Sequence, residues 1–80
     1  MVIYVSNRPT EEEIIPYVLD VLKHDGSLDM SHLCATVVHR MPENRKPYTS
    51  SVSKAVWLLI QRAEVEFVPS PGSLLRLREK

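Results

Sequence analysis

Apolar residues recur at helical spacing in the first third of the chain. Ile14, Val18 and Leu22 lie four residues apart, which places them on one face of a helix. Residues 10–13, a threonine and three glutamates, form a capping box that satisfies backbone N–H groups at the start of this helix. Pro16 lies inside the helix and predicts a kink or a separate first turn, because proline lacks the N–H of a helical hydrogen bond.

A short extended link and a second helix are predicted next. Gly26 ends the first helix, since glycine tolerates the left-handed backbone that often follows a helix. Residues 27–30 form the link, and Ser31 is predicted to cap a helix over residues 31–40. A polar, basic loop over residues 42–48 follows this helix.

The third helix is predicted to begin at a cap formed by Thr49, Ser50 or Ser51. Its core-facing positions are Val52, Val56, Leu59, Ile60 and Ala63. At 100° per residue, a second set of side chains points away from the core: Ser50, Lys54, Trp57, Leu58 and Gln61, with Ser51 and Arg62 at the edge.

Two alternating segments, residues 64–68 and 73–78, predict a hairpin. Facing residues must share one side of the sheet, which selects a single register. The pairs in that register are Phe67 with Leu75, Val65 with Leu77, Glu66 with Arg76, and Glu64 with Arg78. The apolar pairs then face inward, the charged pairs face water, and the connecting loop has an odd length.

An extra strand is predicted at the amino terminus, over Val2, Ile3, Tyr4 and Val5, because this run is β-branched and aromatic. Every position in it is apolar, so the strand would be an unpaired edge that can form hydrogen bonds with a strand of another chain. We therefore expect a homodimer formed through this strand.

Composition places the chain among ordinary globular domains. It has 80 residues, 44% hydrophobic and 25% charged, enough for one α+β domain with a small core. Cys34 is the only cysteine, so no internal disulfide can form, which favours a reducing, cytoplasmic location. No segment is long and apolar enough for a membrane span, and no membrane contact is expected.

Charge is balanced overall but unevenly distributed. The net charge is zero, which argues against strong, indiscriminate nucleic-acid binding. Residues 1–36 carry two basic and six acidic side chains, a net of −4, whereas residues 37–80 carry eight basic and four acidic, a net of +4. The molecule therefore has an acidic half and a basic half.

No arrangement of residues indicates catalysis or a bound cofactor. His24, His32, His39 and Cys34 lack the spacing of metal ligands. The serines have no paired base, no glycine-rich phosphate loop occurs, and the glutamates of residues 11–13 serve as a helix cap. We expect neither an enzyme nor a metal or cofactor site.

The order of elements over residues 10–79 resembles a winged helix-turn-helix domain. Three parts carry the resemblance: the stripe of the first helix with the Gly26-Ser27-Leu28 turn after it, the two later helices, and the hairpin as wing. The spacing is similar to the winged-helix module at the amino end of some restriction endonucleases, which also opens with Pro-Thr. The resemblance implies a third helix that lies in the DNA major groove and a wing that touches the backbone.

A small regulator that binds double-stranded DNA is the first functional hypothesis. The loop before the third helix lies where phosphates would pass, and the serines at the start of the helix could also bind phosphate. On the outward face, Gln61 could pair with adenine, and Lys54 could contact guanine or phosphate. The candidate DNA-binding residues are Arg45, Lys46, Tyr48, Ser50, Ser51, Lys54 and Gln61.

Two alternatives remain open. Trp57 and Leu58 are poorly suited to base-specific contacts with DNA. A pair of large, outward-facing apolar side chains more often marks a protein contact. A protein-binding winged helix, an accessory or inhibitory factor of a phage or plasmid, would dock through this pair and the amino-terminal strand. RNA binding is the weaker alternative. A continuous positive face on the third helix favours nucleic acid, whereas an apolar patch ringed by acid favours protein.

Overall fold

A computed structural model describes residues 8–68 and 74–78 of the chain. Its elements are α1 (Glu11–Asp25), β1 (Ser27–Asp29), α2 (Met30–Arg40), a 3₁₀ turn (Glu43–Arg45), α3 (Thr49–Gln61), β2 (Val65–Val68) and β3 (Leu74–Leu77). This α+β arrangement of three helices and a carboxy-terminal hairpin is that of a winged helix, as predicted. The predicted strand over residues 2–5, the dimer it would form and the turn at residues 69–72 lie outside the described residues.

The three strands form one antiparallel sheet in the order β1-β3-β2. The hairpin has the predicted register, in which Phe67 faces Leu75, Val65 faces Leu77 and Glu66 faces Arg76. The last pair joins Val68 to Leu74, so the connection between them has the odd length expected. The predicted extended link is a true strand, because β1 bonds to β3 with Leu28 opposite Leu75.

A single core lies between the three helices and the sheet. Val52, Val56 and Leu59 of α3 are fully buried, as predicted from the apolar stripe of core-facing positions on this helix. Ile60 is partly buried and packs against the core, whereas the prediction was wrong at Ala63, which is exposed. The remaining core side chains, including some that the stripes omitted, are Ile14, Ile15, Val18, Val21, Leu22, Leu33, Cys34, Val37, Met41, Ala55, Val65 and Leu75.

Two predicted helix caps were wrong, whereas the first was confirmed. Thr10 forms the capping box with Glu13. At α2, however, Asp29 is the cap in place of Ser31, and its carboxylate accepts from the backbone N–H of His32 at 2.7 Å. This hydrogen bond lowers the pKa of Asp29 below its ordinary value. At α3 the cap position is Tyr48, and no side chain caps this helix.

The first helix is continuous through Pro16, so the predicted separate first turn does not form. Gly26 follows the helix with φ of 87°, and its N–H donates to the carbonyl of Leu22 at 2.9 Å. The predicted glycine cap is therefore confirmed.

An alanine occupies the left-handed position after α3. Ala63 has φ of 61°, while its N–H donates to Ile60 and that of Glu64 donates to Leu59. These two bonds define a Schellman motif, in which glycine is the usual residue at the left-handed position. The Cβ atom at this position costs roughly 1–2 kcal/mol of folding free energy.

We expect Ala63→Gly to raise the free energy of unfolding by about 0.5–1 kcal/mol. Loss of the Cβ atom relieves the left-handed backbone, and part of the gain is offset by the greater freedom of glycine in the unfolded chain. Urea denaturation measures the change. Ala35→Gly, at an exposed position inside α2, is the matched control and should lower stability by about 1 kcal/mol. A decrease in both variants would contradict the assigned role of Ala63.

Candidate functional site

The outward face of α3 carries the side chains that its periodicity predicted. Ser50, Lys54, Trp57 and Gln61 are exposed, and Leu58 and Ser51 are half-buried. Val52, Val56 and Leu59 hold the opposite face in the core, which fixes this face toward the outside.

A groove of about 440 Å³ runs between the start of α1 and the outward face of α3. Trp57 and Leu58 provide its apolar surface. Its polar boundary consists of Thr10, Glu11, Glu12, Lys54 and Gln61. The helix face that was predicted to enter DNA is therefore an apolar depression with two carboxylates and one lysine at its border.

An aromatic pair extends this apolar surface onto the hairpin. The side chain of Trp57 is 50% exposed, and its ring lies 5.7 Å from the ring of Phe67 at a tilt of 58°. Phe67 was expected to point into the core with Val65, and this was wrong, because 40% of it is exposed. Val65 fills the core at the base of β2, whereas Phe67, two residues further along the same face, covers Trp57 instead.

Tyr48, the third exposed aromatic side chain among the described residues, has a different neighbour. The guanidinium carbon of Arg8 lies 3.6 Å from the centre of its ring. Nη1 of Arg8 also donates to the backbone carbonyl of Lys46 at 2.9 Å. Tyr48, 57% exposed, thus helps to hold the segment before α1 against the loop before α3.

Arginines of the basic half pair with carboxylates of α1. Nη2 of Arg45 donates to Glu13 at 2.6 Å, and Nη2 of Arg62 donates to Glu12 at the same distance. The hydrogen bond and charge of Glu12 raise the pKa of Arg62 above its ordinary value. Arg40 similarly donates to Asp20 at 3.0 Å. Three cations of the basic half therefore pair with carboxylates of the acidic half.

The ammonium group of Lys46 is hydrogen-bonded to the backbone at the end of α2. Its Nζ donates to the carbonyls of Val38 and His39 at 2.7 and 3.1 Å, and lies 3.8 Å from a carboxylate oxygen of Glu43. These carbonyls belong to the last turn of α2, where a cation is favourable for the helix dipole. A phosphate contact by Lys46, as predicted, would compete with these bonds.

Lys54 differs from the other basic candidates. It lies on the exposed face of α3, at the border of the groove. No hydrogen bond or ion pair to another described residue involves its ammonium group. Lys54 and Gln61 are thus exposed polar candidates at the border of the groove.

The histidines and the cysteine lie apart from the groove. His24 and His32 contact neighbouring carboxylates of Asp25 and Asp29. Cys34 is a buried free thiol, 3.9 Å from the hydroxyl of Ser53, and burial raises its pKa. Within the described ranges, no three histidine, cysteine or acidic side chains are placed to share a metal ion. None of the helices there has the length and apolar character needed to cross a bilayer.

No protein-family model and no curated protein matches this chain.

Proposed function

We propose that this winged helix binds another protein, and that the groove beside α3 is its docking site. The observation that carries the proposal is the position of the apolar groove and the Trp57–Phe67 pair on the outward face of α3. Exposed aromatic side chains around a depression are typical of protein interfaces, where tryptophan in particular contributes much of the binding energy.

The occupant that fits this groove best is an amphipathic segment of the partner. A volume of about 440 Å³ accommodates a few side chains, as in grooves that accept one apolar face of a helix. The charges at the border of the groove would orient the bound segment, because Glu11 and Glu12 border the groove from α1, whereas Lys54 borders it from α3. We infer a segment with large apolar side chains, a basic residue facing Glu11 and an acidic residue facing Lys54.

DNA binding is the second candidate, supported by the exposed Lys54 and Gln61 on α3. Lysine can contact phosphate or guanine, and glutamine can pair with adenine. The neighbouring cations favour it less, because Arg45 and Arg62 already pair with glutamates and Lys46 bonds to α2. Each surface ion pair is weak, but together they reduce the positive potential available to phosphates. For either candidate we propose a cytoplasmic location, supported by the free thiol of Cys34.

Selection of binding peptides tests the docking site. A displayed library of random 16-residue peptides is selected on the protein, and the affinities of the selected peptides are measured by fluorescence. We expect apolar peptides whose binding weakens at least tenfold on Trp57→Ala, because the groove loses its largest apolar surface. The matched control is Tyr48→Ala, which removes an exposed aromatic side chain outside the groove and should change the affinity less than twofold.

A random-sequence duplex, titrated at several salt concentrations, separates the two candidates. Peptides that bind the Trp57→Ala variant as well as the parent would contradict the docking site. Salt-dependent duplex binding that weakens on Lys54→Ala, with no peptide selected, would establish the DNA hypothesis in its place.

A further inference from the structure

A second cavity lies away from the groove, between the end of α1, β1 and β3. Its volume is about 500 Å³, and none of its lining residues belongs to α3. Three cationic side chains, Lys23, Arg76 and Arg78, line it. Neutral residues complete the lining, namely Leu22, Gly26, Ser27 and Leu77. No carboxylate is among the described residues that form this cavity, which we call the basic cleft.

The cations of the basic cleft are differently constrained. Arg76 donates from Nε and Nη2 to one oxygen of Glu66, at 3.0 and 2.8 Å. This contact orients the guanidinium and leaves other N–H groups of its five donors for a second acceptor. Lys23 and Arg78 form no ion pair with any described residue, although Glu64 adjoins Arg78 through a backbone bond. Two cations are therefore available to a ligand, beside a third that is held in position.

The backbone at the edge of the cleft leaves space for a ligand. Gly26 has no side chain, and no atom would lie within 4 Å of a Cβ atom there. The neighbouring Ser27 is exposed and offers a hydroxyl donor. Leu22 and Leu77 add apolar surface, which suits the less polar part of a larger molecule.

We propose that the basic cleft binds a phosphoryl group. A phosphate presents several anionic oxygens in different directions, which suits cations from α1 and from the β3 segment together with the hydroxyl of Ser27 on β1. A volume of about 500 Å³ exceeds what one anion occupies, and therefore accommodates a phosphate ester with its attached group. A small phosphate ester and the backbone of a nucleic acid share this chemistry.

Amide chemical shifts of ¹⁵N-labelled protein test the site. Inorganic phosphate, adenosine monophosphate and a 12-base-pair duplex of mixed sequence are titrated separately, with ionic strength held constant by chloride. We expect shifts concentrated at residues 26–27 and 76–78, in the millimolar range for inorganic phosphate. Lys23→Gln and Arg78→Gln should each weaken binding at least fivefold, because each removes one cation from the cleft. Arg40→Gln removes a cation of α2 that lies outside both the cleft and the groove, and it should leave the affinity unchanged.

The three probes identify the source of the phosphate. Tighter binding of adenosine monophosphate than of the other two, at these same amides, supports a small phosphate ester as the ligand. Tighter binding of the duplex, again at these amides, supports a nucleic-acid backbone. Shifts spread over the whole surface, or equal weakening by Arg40→Gln, would overturn the proposal. Trp57→Ala should not affect phosphate binding. The proposal of a docking groove and the proposal of a phosphate-binding cleft are therefore tested independently.

Discussion

Leu59→Ala is expected to lower the free energy of unfolding by roughly 2–4 kcal/mol, the largest effect of any single change considered for this protein. Leu59 is fully buried in the last turn of α3, and its carbonyl also accepts the N–H of Glu64 in the turn that follows. Truncation removes the transfer free energy of a leucine side chain and leaves a cavity that a close-packed interior fills only partly. In so small a domain this loss is a large fraction of the total stability.

Leu58→Ala is the matched control for this prediction. Leu58 precedes Leu59 in the sequence, is half-buried and borders the groove, so its truncation should cost about 1 kcal/mol. Urea denaturation followed by far-ultraviolet circular dichroism measures both variants. Equal losses, or a loss below about 0.5 kcal/mol for Leu59→Ala, would show that the core face of α3 is assigned incorrectly.

Gly26→Ala is expected to cost about 1–3 kcal/mol for a purely backbone reason. Gly26 has φ of 87° and ψ of −78°, a conformation that residues with a Cβ atom rarely adopt. No atom would lie within 4 Å of the new Cβ atom, so a steric clash with neighbours does not contribute. The variant therefore measures the intrinsic strain of the turn that joins α1 to β1.

A D-alanine at position 26, introduced by chemical synthesis of the chain, reverses the expectation. The mirror-image residue accepts a positive φ without strain and has fewer unfolded conformations than glycine, so stability should be unchanged or slightly higher. Thermal unfolding compares the two substituted proteins with the parent. If L- and D-alanine destabilise equally, the effect arises from the methyl group itself and not from the backbone conformation.

Local patterns were sufficient to predict the three helices and the hairpin with its register. The four-residue repeat of Ile14, Val18 and Leu22 requires only helix geometry and one buried side. The hairpin register follows from strict alternation, because a shift of one residue would turn Arg76 toward the core in place of Leu75. Both arguments concern short stretches of chain with one dominant free-energy term, the burial of apolar surface.

Errors arose where several local choices have similar free energies. Asp29 and Ser31 are both good capping residues two positions apart, and the contact of β1 with β3 places Asp29 at the start of α2. Ala63 continues the apolar stripe of α3, yet the chain leaves the helix at this residue to begin the hairpin. Neither the start of α2 nor the end of α3 can be predicted from helical periodicity, because both depend on the adjoining strands.

The candidate site was predictable as a helix face but not as a groove. Trp57 and Leu58 could be placed outward from periodicity alone. The groove, however, depends on where the start of α1 crosses α3, a contact between distant parts of the chain. The ion pairs of Arg45 and Arg62 have the same origin, since their glutamate partners lie 32 and 50 residues earlier. Charge counts along the sequence cannot show that these cations are already neutralised.

The position of β3 in the middle of the sheet determines when folding can finish during synthesis. β3 is the last of the described elements to leave the ribosome, and both β1 and β2 bond to it and not to each other. Until residues 74–77 emerge, β1 has no strand to pair with, and the core lacks the buried side chain of Leu75. The sheet and the core are therefore completed only once residues 74–77 are available to pair with β1 and β2 and to supply Leu75.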